Sequence, residues 1–167
     1  MKKRLSHVAA DGTARMVDVS DKAETAREAI ATGRIRMTPA AARMATSGEN
    51  RKGDPVHTAR LAGIMAGKRT AELIPLCHPL RLTHIDVDIT PRPDGFDIVA
   101  SVRTTGPTGV EMEALTAVSI AALTLYDMIK AVDKTMEIGE IRVAEKRGGR
   151  SGEHVAAGES SRKRRTG

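Results

Sequence analysis

Leu82-Thr83-His84-Ile85-Asp86-Val87-Asp88-Ile89-Thr90, followed by Pro91-Arg92-Pro93-Asp94-Gly95 and then Phe96-Asp97-Ile98-Val99-Ala100-Ser101-Val102, is the stretch that decides the fold. Ile85, Val87 and Ile89 share one side of an extended chain and Asp86 and Asp88 the other, the period-two pattern of a half-buried strand. Phe96, Ile98, Ala100 and Val102 repeat that pattern after a turn built from proline and glycine. The pair therefore forms an antiparallel hairpin. Working outward, Asp54-Pro55 combines a capping side chain with a first-turn proline and opens a helix to about Leu73, which Pro75 closes. On the other side Met112, Leu115, Val118, Ala122, Leu125 and Ile129 step along one stripe of a helix from about Glu111 to Val132. A hairpin between two long helices predicts an α+β fold, an antiparallel sheet with long helices packed on it.

Nearer the N-terminus, Met16-Val17-Asp18-Val19 reads as a short strand and Lys22 to Thr32 as a helix through Ala23, Ala26 and Ile30, with Gly33 as its C-cap. Arg34 to Met37 alternates as another short strand, and Thr38-Pro39 caps a helix over Ala40 to Thr46. Two glycine-bracketed loops follow, at 47–53 and 104–109, and a last strand covers Met136 to Ala144. Residues 1–150 form a single domain. Residues 151–167 hold almost no apolar side chains and read as a flexible basic C-terminal tail.

A length of 167 residues fits one domain. The 27 basic and 21 acidic side chains give +6, which suggests a nucleic-acid binder until the charge is located. Residues 146–167 carry +5, and Lys2, Lys3 and Arg4 carry +3, leaving residues 5–145 at −2. The aromatic residues are Phe96 and Tyr126, so the stacking platforms of RNA-binding and single-strand-binding modules are missing and no nucleic-acid partner is expected. A core of Ala, Val, Ile, Leu and eight Met supplies less buried area per residue and leans on subunit contacts. One cysteine, Cys77, excludes a disulfide framework and a Cys-based zinc site. No signal peptide and no apolar run of membrane-spanning length is read, so no membrane partner is expected and a soluble cytoplasmic protein is the default.

Chemistry concentrates in three places. In Ile74-Pro75-Leu76-Cys77-His78-Pro79-Leu80, two prolines fix the backbone and leave His78 and the main chain of Leu76 and Cys77 to a ligand. On their own, Cys77 and His78 read as a small buried hydrophobe and a satisfied loop histidine. Asp127 and Lys130, three residues apart on one helical face, can divide base and acid roles, but such a pair is also a common solvent-facing ion pair. The apolar approach Ala121 to Tyr126 argues for partial burial. Glu111, Met112 and Glu113 open the same helix, where the acids suit the macrodipole or grip the donor edge of a guanine-like ring. Arg27, Lys52, Lys68, Arg69, Lys130, Lys134 and Lys146 come from several segments, and only convergence in the fold would make them a polyphosphate cradle.

Together these segments resemble the cyclic pyranopterin monophosphate synthase family of molybdenum cofactor biosynthesis. The resemblance is carried by Met16 to Ser20, Lys52-Gly53-Asp54-Pro55, Ala59 to Met65 with Lys68-Arg69-Thr70, Glu72 to Leu80, Thr108 to Val118, Tyr126 to Lys134 and Lys146 to Gly152. It implies a ferredoxin-like antiparallel sheet and a homohexamer built as a trimer of dimers with active sites at subunit interfaces. It implies a lyase that rearranges the GTP-derived (8S)-3',8-cyclo-7,8-dihydroguanosine 5'-triphosphate to cyclic pyranopterin monophosphate; no cofactor is expected, and no carboxylate cluster in the sequence demands a metal. In the family's pattern Asp127, Lys130 and Lys52 are catalytic, and Leu76, Cys77, His78, Met112 and Glu113 contact substrate. Glu111, Lys134, Lys68, Arg69, Lys146 and Arg27 are expected beside the substrate, the last four on its triphosphate. Two other readings stay open: a nucleotide-sensing module with the same pocket, and a nucleic-acid binder acting through its termini. Glycine at position 67, where alanine is expected, slightly weakens its helix.

Overall fold

The computed structural model describes residue 8 and residues 11–48, 53–149 and 152–156. The expected hairpin is β2 (Leu82–Arg92) and β3 (Gly95–Gly106), with Ile85 opposite Val102, Val87 opposite Ala100 and Ile89 opposite Ile98. β3 pairs antiparallel with β1 (Thr25–Arg36), which also pairs with β4 (Glu137–Arg147). The edge strand β5 (His154–Val155) completes a five-stranded antiparallel sheet in the order β2-β3-β1-β4-β5. Between β1 and β2 run α1 (Pro39–Thr46), α2 (Pro55–Lys68) and the single turn α3 (Thr70–Leu73), and α4 (Glu111–Ile129) links β3 to β4. This is the ferredoxin-like α+β arrangement.

The central strand β1 overturns one expectation. Lys22 to Thr32 is not a helix; from Thr25 onward it is strand, with Ala29, Ala31, Gly33 and Ile35 buried in strict alternation. Alanine favours helix locally, but small side chains at every second position are what a central strand needs beneath a helix that lies close to it. Gly33 is accordingly no C-cap: a Cβ there would stand 2.5 Å from Val118 Cγ1 of α4 and 3.2 Å from Ile141 Cγ1. Met16 to Val19 is not a strand either. It runs over the surface as an exposed strap, shaped by a turn in which Asp18 Oδ1 accepts from the Ser20 amide at 2.9 Å and the Ser20 hydroxyl at 2.7 Å.

The α2 and α4 helices meet through small residues. A Cβ on Gly63 would lie 2.8 Å from the Ala117 carbonyl oxygen, and one on Gly67 would lie 2.3 Å from Ile85 Cδ1. The predicted single helix to Leu73 breaks after Lys68, where the Thr70 hydroxyl donates to the Gly67 carbonyl at 3.0 Å. Phe96, Ile35, Ile98, Leu125 and Ile129 are the largest fully buried side chains. By length and apolarity α4 would suit a membrane span, contrary to expectation, but much of its apolar surface is packed on the sheet and α2 as the core helix of this layer. The edge strand β5 begins inside the stretch read as a tail; residues 150, 151 and 157–167 lie outside the described residues.

One buried acid latches the helical layer to the sheet. Asp133 ends the turn after α4, where Oδ2 accepts from the Thr38 amide at 2.7 Å while Oδ1 accepts from the Thr135 amide at 2.8 Å and its hydroxyl at 2.7 Å. These donors, led by the Thr38 amide, hold its carboxyl at about 2 against an ordinary 3.8. A depressed native pKa means stability that is present above the ordinary value and lost as pH falls through the native one.

Thermal melts of three variants test this packing. Asp133→Asn should melt below wild type near neutral pH, and the gap should narrow between about pH 4 and about pH 2. Gly63→Ala should cost about 1–3 kcal/mol because a backbone carbonyl blocks it. Gly67→Ala should stay within about 1 kcal/mol of wild type, since the helix-propensity gain offsets moving the flexible end of Ile85.

Candidate active site

The first turn of α4, the loop before it and the Leu76 to Leu80 turn enclose three adjoining chambers. The largest, about 520 Å³, lies between the start of β1, the loop Pro107 to Gly109 and the end of β4, and holds Arg27, Glu111 and Lys146. The middle one, about 200 Å³, shares Thr108, Gly109 and Glu111 with the first and brings Leu76, Cys77 and His78 against Met112 and Glu113. The third, about 120 Å³, shares His78, Leu80 and Glu113 with the middle one and adds Lys68 and Arg69 from the end of α2. Residues drawn from five segments of sequence thus line one trough with a basic flank at each end. Sequence reasoning missed Lys22 and Thr25 in the largest chamber, because it put them on a helix.

Each flank is built by backbone. Arg27 reaches the trough because it sits on the buried-parity side of β1; its guanidinium donates from Nε to the Gly106 carbonyl at 3.4 Å and from Nη2 to the Pro107 carbonyl at 3.3 Å. Behind it Gly148 and Gly149 take left-handed φ angles of 94° and 77°. A side chain at 149 would occupy the Arg27 guanidinium and one at 148 would strike the Ala26 carbonyl, so only glycine fits both. Lys146 Nζ pairs with Glu111 Oε1 at 3.1 Å, and the two half-buried charges neutralise each other across the junction of the first two chambers.

At the centre stands Glu113, only 4% exposed, with Oε2 buried and without a hydrogen-bond partner among the described residues. Both the helix macrodipole and its own backbone would favour the anion. Burial outweighs them and, helped by the nearby Glu111 charge, pushes the carboxyl above its usual range. Cys77 is likewise pushed up, by burial first and Glu113 second, so it lies in the trough as a thiol rather than a thiolate nucleophile. His78 Nε2 is 2.7 Å from the Val17 carbonyl oxygen.

The remaining expected residues are elsewhere. Asp127 and Lys130 form an ion pair of 2.7 Å at the far end of α4, with side chains 60% and 53% exposed. The expected partial burial is not found within this chain: the apolar neighbours Leu123 and Val132 are themselves outward-facing, at 54% and 48% exposure. Lys130 therefore does not drift toward neutrality, since the hydrogen bond and charge of Asp127 hold its pKa above the ordinary value. Asp127 stands fourteen residues beyond Glu113, about 21 Å along the helix axis. Lys134 is exposed past the end of α4 and lines none of the three chambers, and Lys52 lies outside the described residues. Among the described residues, no three His, Cys, Asp or Glu side chains cluster as a metal-ligating group.

The MoaC family profile matches residues 16–149. The cyclic pyranopterin monophosphate synthase of Chloroflexus aggregans is 65% identical over 152 residues, covering 90% of this chain and 92% of that protein. Proteins of the same name from Chloroflexus aurantiacus and Nostoc sp. are 62% and 58% identical, over 89% and 90% of this chain and 93% and 90% of theirs.

Glu113→Gln tests the cost of the buried carboxyl. A raised native pKa means a stability penalty present at neutral pH that shrinks as pH falls through the native value, where the folded protein takes up its proton, and is gone below the ordinary 4.5. The variant should be more stable at neutral pH by about 1 kcal/mol, since glutamine keeps a polar amide in the pocket. That gain should shrink in melts run at progressively lower pH.

Proposed function

This chain belongs to the MoaC family, and on that premise we propose that it converts (8S)-3',8-cyclo-7,8-dihydroguanosine 5'-triphosphate to cyclic pyranopterin monophosphate with release of pyrophosphate, an early step of molybdenum cofactor biosynthesis. The observation that carries the reading at the level of residues is the buried Oε2 of Glu113, without a partner among the described residues, between two basic flanks. A reduced guanine ring presents N–H donors along one edge, and a carboxyl with an empty acceptor is what that edge asks for. The ring sits in the middle chamber against Leu76, Cys77, His78 and Met112. Arg27 and Lys146 receive the triphosphate in the largest chamber, and Lys68 and Arg69 close the opposite end.

The rearrangement opens and recloses C–N bonds of the purine and displaces pyrophosphate by a sugar hydroxyl, so it needs proton transfers and charge neutralisation and no redox step. Asp127 and Lys130 are the acid and base, assisted by Lys52. An acid/base pair about 21 Å from Glu113 along one rigid helix cannot serve the same copy's trough. The reading therefore includes a homohexamer, a trimer of dimers, in which the exposed apolar surface around Asp127 is covered by a second copy whose trough it completes. Covering it would desolvate Lys130 and lower its pKa toward the working range. Lys134 lies beside this pair and would approach the same substrate. No cofactor, nucleic acid or membrane takes part, and the enzyme works in the cytoplasm.

Asp127→Ala should lose at least about a hundredfold in pyranopterin formation from the cyclic nucleotide. Persistence of the wild-type rate would remove Asp127 from the chemistry. A ligand-sensing module would instead bind the nucleotide and release no pyrophosphate. Mixing unfolded Asp127→Ala and Glu113→Gln chains and refolding them together should return about a quarter of wild-type activity if each site takes its two halves from different copies. No recovery is expected if both halves come from one chain.

A further inference from the structure

The strap that precedes β1 carries a motif, Met16-Val17-Asp18-Val19-Ser20, to which the chemistry above gives no task. Its side chains are largely exposed, and its turn is held locally by Asp18 on Ser20 and by the Lys22 amide on the Val19 carbonyl at 3.0 Å. Its one hydrogen bond to the distant body, among the described residues, runs from the His78 ring to the Val17 carbonyl, across sixty-one positions of sequence. Directly after the turn, Lys22 lines the largest chamber. One short segment therefore touches the trough twice.

A carbonyl oxygen only accepts, so Nε2 of His78 must carry the hydrogen in this contact. A neutral imidazole has one N–H; with it committed at Nε2, Nδ1 is left as a lone pair. We propose that Val17 is a positioning residue for His78: its carbonyl locks the ring as the Nε2–H form and so presents Nδ1 as a hydrogen-bond acceptor to the ligand. The inference rests on the assignment of the trough as the substrate site. Glu113 and His78 line the same two chambers, and two acceptors there match a ring edge carrying several N–H donors. A histidine free to rotate would offer a donor to that edge part of the time. The Asp18 and Ser20 turn sets where the Val17 carbonyl points, which gives the motif its role.

The test uses the full-length protein with 15N-labelled histidine, the His78 signals being assigned by their loss in His78→Gln. Wild type should show a slowly exchanging proton on His78 Nε2 and none on Nδ1. The double variant Asp18→Ala, Ser20→Ala, which removes the turn, should lose that proton signal and about tenfold in kcat, as expected when the group orienting a functional imidazole is removed. Asp18→Asn, whose amide oxygen still accepts from Ser20, should keep both. A proton on Nδ1, an absent Nε2 signal in wild type, or an unchanged kcat once the signal is gone would each overturn the proposal. If the proton signals behave as expected but the wild-type protein forms no pyranopterin, the positioning stands and the functional assignment fails.

Discussion

Close approach of α4 to its two neighbours is the constraint from which the rest follows. On one side it presses on the central strand where Gly33 leaves room for Val118, and on the other it meets α2 where Gly63 lies under the Ala117 carbonyl. Interiors this dense leave no slack for added atoms. Helix α4 is therefore fixed in depth, in rotation and along its axis. Its first turn must deliver Glu111 and Glu113 to the trough, and its last must deliver Asp127 and Lys130 to the outer surface. An aromatic-poor core suits this design, because Ala and Gly at the contacts set the spacing and Phe96, Ile35 and Leu125 fill what remains.

Charge in the trough is managed by pairing at its edge and withheld at its centre. Lys146 and Glu111 neutralise each other where the first two chambers join, whereas Oε2 of Glu113 has no hydrogen-bond partner among the described residues. A fold selected for stability alone would fill that acceptor. Leaving it empty costs folding free energy and, on the proposed function, keeps the group ready for a ligand that brings its own donors. Asp133 is the contrast: equally buried, but with three donors converging on it, it strengthens the junction of α1 and β4 and has no vacancy to offer.

The hairpin and α4 could be read from sequence because their apolar residues repeat cleanly, at two for the strands and near four for the helix. Only the end of β1, Arg34 to Arg36, alternates visibly; the rest could not be read, since Ala29, Ala31 and Gly33 are too small to register as an apolar stripe and alanine's local preference points to helix. That error hid Thr25, which shares Arg27's side of the extended chain, and Lys22, which the turn before β1 brings to the same chamber. The Leu76 to His78 and Met112-Glu113 segments were found as candidates from their residue types, but their meeting depends on α2 and α4 being packed side by side, which no periodicity reports. The family resemblance supplied the roles of Asp127 and Lys130, and the outward-facing apolar surface around them explains why composition alone suggested burial.

Rigidity of α4 turns it into a ruler. Glu113 and Asp127 are separated by a fixed number of residues on an uninterrupted helix, and every inserted residue would advance the distal pair by about 1.5 Å and swing it by about 100° around the axis. In a symmetric assembly that error would be repeated at every interface. The number of residues between these two positions is therefore as much a part of the proposed site as the side chains themselves.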